Sequence, residues 1–139
     1  MRPNTLAEAV DRIRSGTAQD VALAEFVDSF DLAATTAARY ACLADEPLLS
    51  RDPKLDALVG AIAEYLAKQY RLGEVPGWAS GPSRRLAQPW FTATGATAGM
   101  REYLTYSSPA EFASRNIFTE ERPLRRARSE LTHESPTKS

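Results

Sequence analysis

The sequence predicts an all-α protein: a single compact multi-helix domain over residues 1–131, with an irregular Pro/Gly/Trp segment at 74–100 and a short disordered tail at 132–139. Three observations predict this class. Apolar residues recur at helical spacing, helix-start signals precede them, and no strong alternating pattern marks a strand. The 139 residues are 43% apolar and 25% charged, which is typical of a chain with a packed core.

The first helix is predicted to begin after Thr5. Thr5 and Glu8 have the spacing of a capping box, in which the threonine oxygen accepts a backbone N–H and the glutamate reaches back toward the helix start. Gly16 is predicted to end the helix. One face of the helix is apolar and comprises Leu6, Ala9, Val10 and Ile13.

A second helix is predicted to follow the weaker start signal Thr17–Asp20. Its core stripe has the i, i+3, i+4, i+7 spacing of a buried helix face and comprises Leu23, Phe26, Val27 and Phe30. Glu25 and Asp28 are assigned to its polar side. A third, alanine-rich helix is predicted over roughly 32–44, with the larger side chains Leu32, Tyr40 and Leu43, and it ends before Pro47.

The fourth helix has the clearest signals. Asp52 precedes Pro53, which pairs an N-cap acceptor with proline at the first helical position. The apolar repeat continues to Leu72, and Gly73 is predicted to end it. The stripe comprises Leu55, Leu58, Val59, Ile62, Tyr65 and Leu66.

Residues 74–100 contain enough proline and glycine to exclude long regular elements, yet they include both tryptophans of the chain, Trp78 and Trp90. Two interpretations stay open. The segment is a meandering loop that its aromatic residues anchor to the core, or Trp90 and Phe91 form part of a partner-binding surface.

The C-terminal part is predicted to contain shorter elements. Met100–Tyr106 is a short helix, and Ser108–Glu111 is a second capping box that opens a helix carrying Phe112. Ile117–Phe118 follows as a short apolar stretch. Pro123 is predicted to start a last helix with the apolar residues Leu124, Ala127 and Leu131.

Composition excludes several classes of protein. The net charge of −1 argues against a generally cationic nucleic-acid coat. Cys42 is the single cysteine, so an internal disulfide framework is excluded and a reducing compartment is favoured. No apolar run approaches the ~18 residues of a membrane span, and residues 1–16 lack the apolar region of a signal peptide. We therefore expect a cytoplasmic protein.

The residues required for catalysis are scarce. The one histidine, His133, falls in the predicted tail, and Cys42 lies in an alanine-rich helix, where a small core residue is expected. Four acidic residues that lie close in sequence make only a weak case for a cation: Asp45, Glu46, Asp52 and Asp56. No nucleotide-binding or metal-binding motif is found. We expect no enzymatic activity, no cofactor and no metal.

Charge is distributed unevenly along the chain. Residues 1–80 contain 8 basic and 12 acidic side chains, whereas residues 81–139 contain 9 basic and 6 acidic ones. Five arginines fall within fourteen residues: Arg115, Arg122, Arg125, Arg126 and Arg128. Such a cluster could contact phosphates or an acidic site on another protein. Alternatively, it is a solvated face that Glu120, Glu121 and Glu130 partly neutralise.

A resemblance to a known family rests on motifs that follow one another over residues 5–128. They are TLAEAV, ALAEFVDSF, LADEPLL with DPKLDALVGAIAEYLA, then VPGW, PWF and SPAEFASRNIFTEERPLRRAR. In these the chain resembles a family of small bacterial antitoxin components encoded beside nucleotidyltransferase-like proteins. Longer members carry a helix-turn-helix module ahead of this region, which is absent here, and that absence argues against autoregulatory DNA binding.

The resemblance implies a non-catalytic protein whose partner is a nucleotidyltransferase-like toxin. Arginines could block the acidic, triphosphate-binding site of such a toxin. The candidate partner-binding residues are therefore the five clustered arginines together with the apolar anchors Trp90, Phe91 and Phe118. Two alternatives stay open, namely a nucleic-acid-binding transcriptional regulator and a self-associating structural domain.

Overall fold

Helix α1 begins at the predicted capping box. The computed structural model describes residues 3–93, 95–120 and 123–124. In it α1 spans Leu6–Arg14. The Thr5 hydroxyl accepts from the Glu8 backbone N–H at 3.1 Å, and the Glu8 carboxylate accepts from the Asn4 backbone N–H at 2.7 Å. The cap is therefore confirmed, with its reciprocal bond one residue earlier than the motif predicts.

Helix α1 ends in a Schellman motif. Gly16 has a φ of 116°, its N–H donates to the Ile13 carbonyl at 3.0 Å, and the Thr17 N–H donates to the Arg12 carbonyl at 2.9 Å. Glycine takes this left-handed conformation without a Cβ penalty. The predicted end of the helix is confirmed.

Helix α2 spans Gln19–Leu32 and has Ala18 at its N-cap, with no side-chain cap. The prediction that Thr17 caps this helix is therefore wrong. The apolar stripe is largely as predicted, since Phe26 and Phe30 are fully buried and their rings lie 6.1 Å apart. The assignment of Asp28 to the polar side is wrong, because its side chain is completely buried.

Helix α3 spans Thr36–Ala44 and is shorter than predicted, because Leu32 ends α2 and Thr35 is the N-cap. The Thr35 hydroxyl accepts from the Ala38 N–H at 3.0 Å. Arg39 donates from Nη2 to the Asp31 carbonyl at 2.8 Å, which satisfies one of the last carbonyls of α2. Helices α1, α2 and α3 pack against one another.

Helix α4 spans Pro53–Gln69, and the Asp52 carboxylate accepts from the Lys54 N–H at 3.0 Å, as the Asp–Pro signal predicts. It ends in a second Schellman motif, in which the Leu72 N–H donates to the Ala67 carbonyl at 2.9 Å. The left-handed residue is Arg71, with a φ of 54°, and not the glycine two positions later. The helix therefore ends earlier than predicted.

The irregular segment contains two 3₁₀ helices, Gly77–Ser80 and Pro82–Arg84, that pack on α4. Strand β1, Trp90–Phe91, follows them. Strand β2, Ile117–Phe118, pairs with β1 in parallel, so that Trp90 lies opposite Ile117. The pairing was not predicted, because two-residue strands have no detectable alternation.

Helix α5 spans Ala98–Ser107, and helix α6 spans Ala110–Ala113. The predicted capping box at Ser108 is wrong, because its hydroxyl accepts from the Thr119 N–H at 2.7 Å and leaves α6 without a side-chain cap. Phe112 of α6 is buried against α4, with its ring 5.6 Å from that of Tyr65. Of the predicted helix from Pro123, only Pro123 and Leu124 are described, and the remainder lies outside the described residues.

The described residues group into two compact units, and the single domain over residues 1–131 stays a prediction. The first unit comprises residues up to Leu48 together with Leu124, and the second comprises Leu49–Pro123. The first therefore contains α1–α3, and the second contains α4–α6, both strands and both 3₁₀ helices. No helix in the described part of the chain is both long and apolar enough to cross a lipid bilayer.

Candidate functional site

A close approach between α4 and the irregular segment organises the second unit. Gly60 lies in the middle of α4, and a Cβ placed there would lie 2.8 Å from the Arg84 Cβ, 3.0 Å from the Ala79 carbonyl oxygen and 3.3 Å from Arg115 Nε. Contacts this short exclude a side chain. Glycine at position 60 therefore lets two arginine-bearing segments reach the helix surface.

A polar cleft of about 280 Å³ lies beside this contact, wholly within the second unit. We call it the arginine cleft. Its lining residues come from α4, from the 3₁₀ helices and from the end of α6: Glu64, Ala79, Ser80, Gly81, Arg84, Arg85, Ser114 and Arg115.

Arg115 forms one wall of the arginine cleft and is only 5% exposed. Its Nη1 donates to the Glu64 carboxylate at 2.7 Å and to the Glu111 carbonyl at 2.6 Å, and its Nη2 donates to the Ala79 carbonyl at 2.8 Å. The guanidinium is therefore held inside the second unit and does not stand on a solvated basic face. Its predicted contact with a partner stays a prediction.

Glu64 is the acidic residue of the cleft. It also accepts from Lys68 Nζ at 2.7 Å, one helical turn along α4. Partial burial by itself raises the pKa of Glu64, but the hydrogen bonds and positive charges of Lys68 and Arg115 outweigh burial and hold the pKa below 4.5. Glu64 is therefore a carboxylate at neutral pH, and two cations compensate its charge.

Among the described residues, Arg84 is the most deeply buried cation, at 2% exposure. Its guanidinium carbon lies 4.9 Å from the centre of the Trp78 ring, and its Nη1 lies 3.4 Å from the Asp56 carbonyl oxygen. Stacking on an aromatic face suits the planar, weakly hydrated guanidinium. Trp78 thus packs within the second unit, which supports the interpretation that aromatic residues anchor this segment, whereas its stacking on Arg84 was not predicted.

The predicted apolar anchors come together at the strand pair. Phe91 and Phe118 stack with their ring centres 5.0 Å apart, and both are half-buried. Trp90 is also half-buried, and Lys54 Nζ lies 5.4 Å from the centre of its ring. Phe91 and Phe118 are therefore brought together by pairing across 27 positions, and the stack supports the interpretation that the aromatic residues anchor this segment.

Helix α5 presents large exposed side chains that were not predicted as a binding surface. Leu104 is its one buried residue. Met100, Tyr103 and Tyr106 are 45%, 55% and 82% exposed, and we call these three residues the α5 strip. These residues are three positions apart in the sequence, and this spacing could have indicated that neighbouring members lie on the same side of a helix.

The remaining residues that the sequence singled out do not extend the arginine cleft. Arg122, Arg125, Arg126 and Arg128 lie outside the described residues. Burial raises the pKa of the Cys42 thiol, although Arg39 opposes the shift, and the thiol donates to the Ala38 carbonyl at 3.3 Å. No group of three or more potential metal-ligating side chains occurs among residues 3–93, 95–120 and 123–124.

Comparison with known proteins finds no matching family, no similar curated protein and no similar solved structure.

Proposed function

We propose that this chain is a non-catalytic antitoxin that neutralises a nucleotidyltransferase-like partner by direct binding. The observation that carries the proposal is the α5 strip, in which three large side chains of a ten-residue helix are turned to solvent. The family resemblance supplies the identity of the partner.

The α5 strip has the composition of a protein-binding surface. Tyrosine and methionine are enriched at interfaces, and tyrosine is frequent among the residues that dominate binding energy. The helix is also held firmly at its C-terminal end. The Ser108 hydroxyl donates to the Leu104 carbonyl at 2.5 Å and accepts from the Thr119 N–H at 2.7 Å. A rigid helix presenting aromatic side chains loses little conformational freedom on binding.

The test is co-purification of the tagged protein with the product of the adjacent gene in moderate salt. We expect a complex of defined stoichiometry and a neighbour that is harmful when expressed alone. Absence of both a complex and toxicity would contradict the antitoxin proposal. Salt-dependent retention on DNA would then favour the nucleic-acid regulator, and a concentration-dependent mass would favour self-association.

The role of the α5 strip is tested with two double variants of the same helix. Tyr103→Ala with Tyr106→Ala should weaken the complex about 25-fold or more, the effect expected of a hot-spot residue. Glu102→Ala with Thr105→Ala is the matched control and should bind like the parent chain. Equal binding by both variants would place the interface elsewhere without removing the antitoxin role.

The arginine hypothesis needs its own experiment. Replacing Arg122, Arg125 and Arg126 by glutamate reverses the charge of the predicted basic cluster. We expect this variant to lose the partner while the far-ultraviolet circular dichroism is unchanged. Retained affinity would refute the arginine hypothesis alone.

A further inference from the structure

We propose that the arginine cleft binds the phosphate group of a small ligand. This inference concerns the isolated chain and does not depend on the proposed antitoxin function. The volume of the cleft, about 280 Å³, is roughly nine times the volume that one water molecule occupies in the liquid. It lies just below the range of about 300–1,000 Å³ typical of pockets for drug-sized ligands, which suits a small anionic group.

The charge of the arginine cleft matches a phosphate. Three arginines and one glutamate line it, which gives a net charge of +2. Lys68 lies outside the lining, and its Nζ is shared between the carboxylates of Glu64, at 2.7 Å, and Glu111, at 3.7 Å. A phosphate monoester carries a charge of about −1.5 to −2 at neutral pH, so its binding would bring the lining close to neutrality.

The donors of the cleft converge from three separate segments. Arg85 follows the second 3₁₀ helix, Ser80 ends the first one, and Ser114 and Arg115 follow α6. Arg85 is exposed, and its Nη2 donates to the Ser114 carbonyl at 3.1 Å, which brings its guanidinium to the mouth of the cleft. Two arginines and two serines from these segments thus line one space.

This set of donors favours a phosphate over a carboxylate. Arginine binds both anions, often through two parallel hydrogen bonds. However, Glu64 already supplies a carboxylate to Arg115. A phosphate monoester presents three acceptor oxygens, which suits a lining supplied by three segments of the chain. Arg115 is fixed in advance by three hydrogen bonds, which occupy three of its five N–H donors. It therefore offers a ligand its charge and at most two further donors, and it loses little freedom on binding.

The test is a titration of the isotope-labelled full chain with sodium phosphate, followed by nuclear magnetic resonance at constant ionic strength. We expect saturable shifts of the Ser80, Gly81 and Ser114 backbone amides. Arg85→Gln should weaken binding about tenfold, the effect of losing hydrogen bonds to a charged group. Arg101→Gln, which removes the same charge from α5, should leave the affinity unchanged.

Further ligands identify the source of the phosphate. Tighter binding of a nucleoside monophosphate than of inorganic phosphate indicates a nucleotide ligand, and equal binding indicates free phosphate. Acetate should not cause the shifts. The proposal is overturned if acetate binds as well as phosphate, if the shifts do not saturate, or if the two arginine variants bind phosphate equally.

Discussion

Gly60 offers the sharpest test of the packing around the arginine cleft. Alanine at this position should destabilise the protein, whereas alanine in place of a glycine inside a helix usually stabilises it. Inside a helix, replacing glycine with alanine normally stabilises by about 0.8–1.0 kcal/mol. At position 60, however, the added methyl group would lie 2.8 Å from the Arg84 Cβ and 3.0 Å from the Ala79 carbonyl oxygen. Neither atom is the far end of a flexible side chain, so the 3₁₀ segment must move.

The expected size of the effect follows from two opposing contributions. Overpacking of a well-packed site costs about 1–3 kcal/mol, from which the helix-propensity gain of about 1 kcal/mol is subtracted. We therefore expect Gly60→Ala to lower the free energy of unfolding by about 1 kcal/mol. A Cβ placed on Gly99 of α5 would meet no neighbouring residue within 4 Å. As the control, Gly99→Ala should stabilise by up to about 1 kcal/mol.

Urea denaturation followed by tryptophan fluorescence measures this difference. Trp78 and Trp90 both lie in the second unit, so the signal reports on the unit that contains both glycines. For a slope of about 2 kcal/mol per molar urea, the Gly60→Ala midpoint should fall by about half a molar. A Gly60→Ala variant stabilised to the same extent as Gly99→Ala would refute the close approach of Arg84 and Ala79 to α4.

Two further predictions concern α4. Arg71 is exposed and adopts a left-handed conformation, which costs a non-glycine residue about 1–2 kcal/mol, partly offset by the extra freedom of glycine in the unfolded chain. Arg71→Gly should thus raise the free energy of unfolding by about 0.5–1 kcal/mol, and Arg71→Ala, which removes the same charge, should not. Glu64→Gln should destabilise by about 1–3 kcal/mol at pH 7, because it weakens charged hydrogen bonds to Lys68 and Arg115. The folded-state pKa of Glu64 lies below its value in the unfolded chain, so its contribution is present above the unfolded pKa and is lost as the pH falls through the folded pKa. The stability of the parent chain should therefore converge on that of Glu64→Gln at a pH below the folded-state pKa, and a difference independent of pH would contradict the ion pair.

Helices were predictable from the sequence where their signals are local. Thr5 with Glu8, and Asp52 with Pro53, place their caps within a few residues of the helix start, and the structure shows these caps. Arg71 shows the limit of such signals, because a left-handed residue other than glycine has no sequence mark of its own.

The candidate site was less predictable because its contacts join distant parts of the chain. Arg115 meets a carboxylate 51 residues away, so a count of neighbouring arginines could not distinguish it from an exposed residue. Strand β2 pairs with β1 through contacts that no periodicity reveals. One signal was available, since Gly60 interrupts an apolar helical pattern and a glycine there commonly has a packing reason.

The parallel pairing of β1 and β2 also limits the freedom of the chain between the strands. The Trp90 N–H donates to the Asn116 carbonyl at 2.8 Å, and the Thr92 N–H donates to the Phe118 carbonyl at 3.0 Å. These bonds join the two ends of a loop that contains α5 and α6. The entropy of closing that loop is lost when the chain folds, before any partner arrives. Substitutions in β1 or β2 that weaken the strand pair should therefore weaken binding through the α5 strip, although they change no residue of the strip.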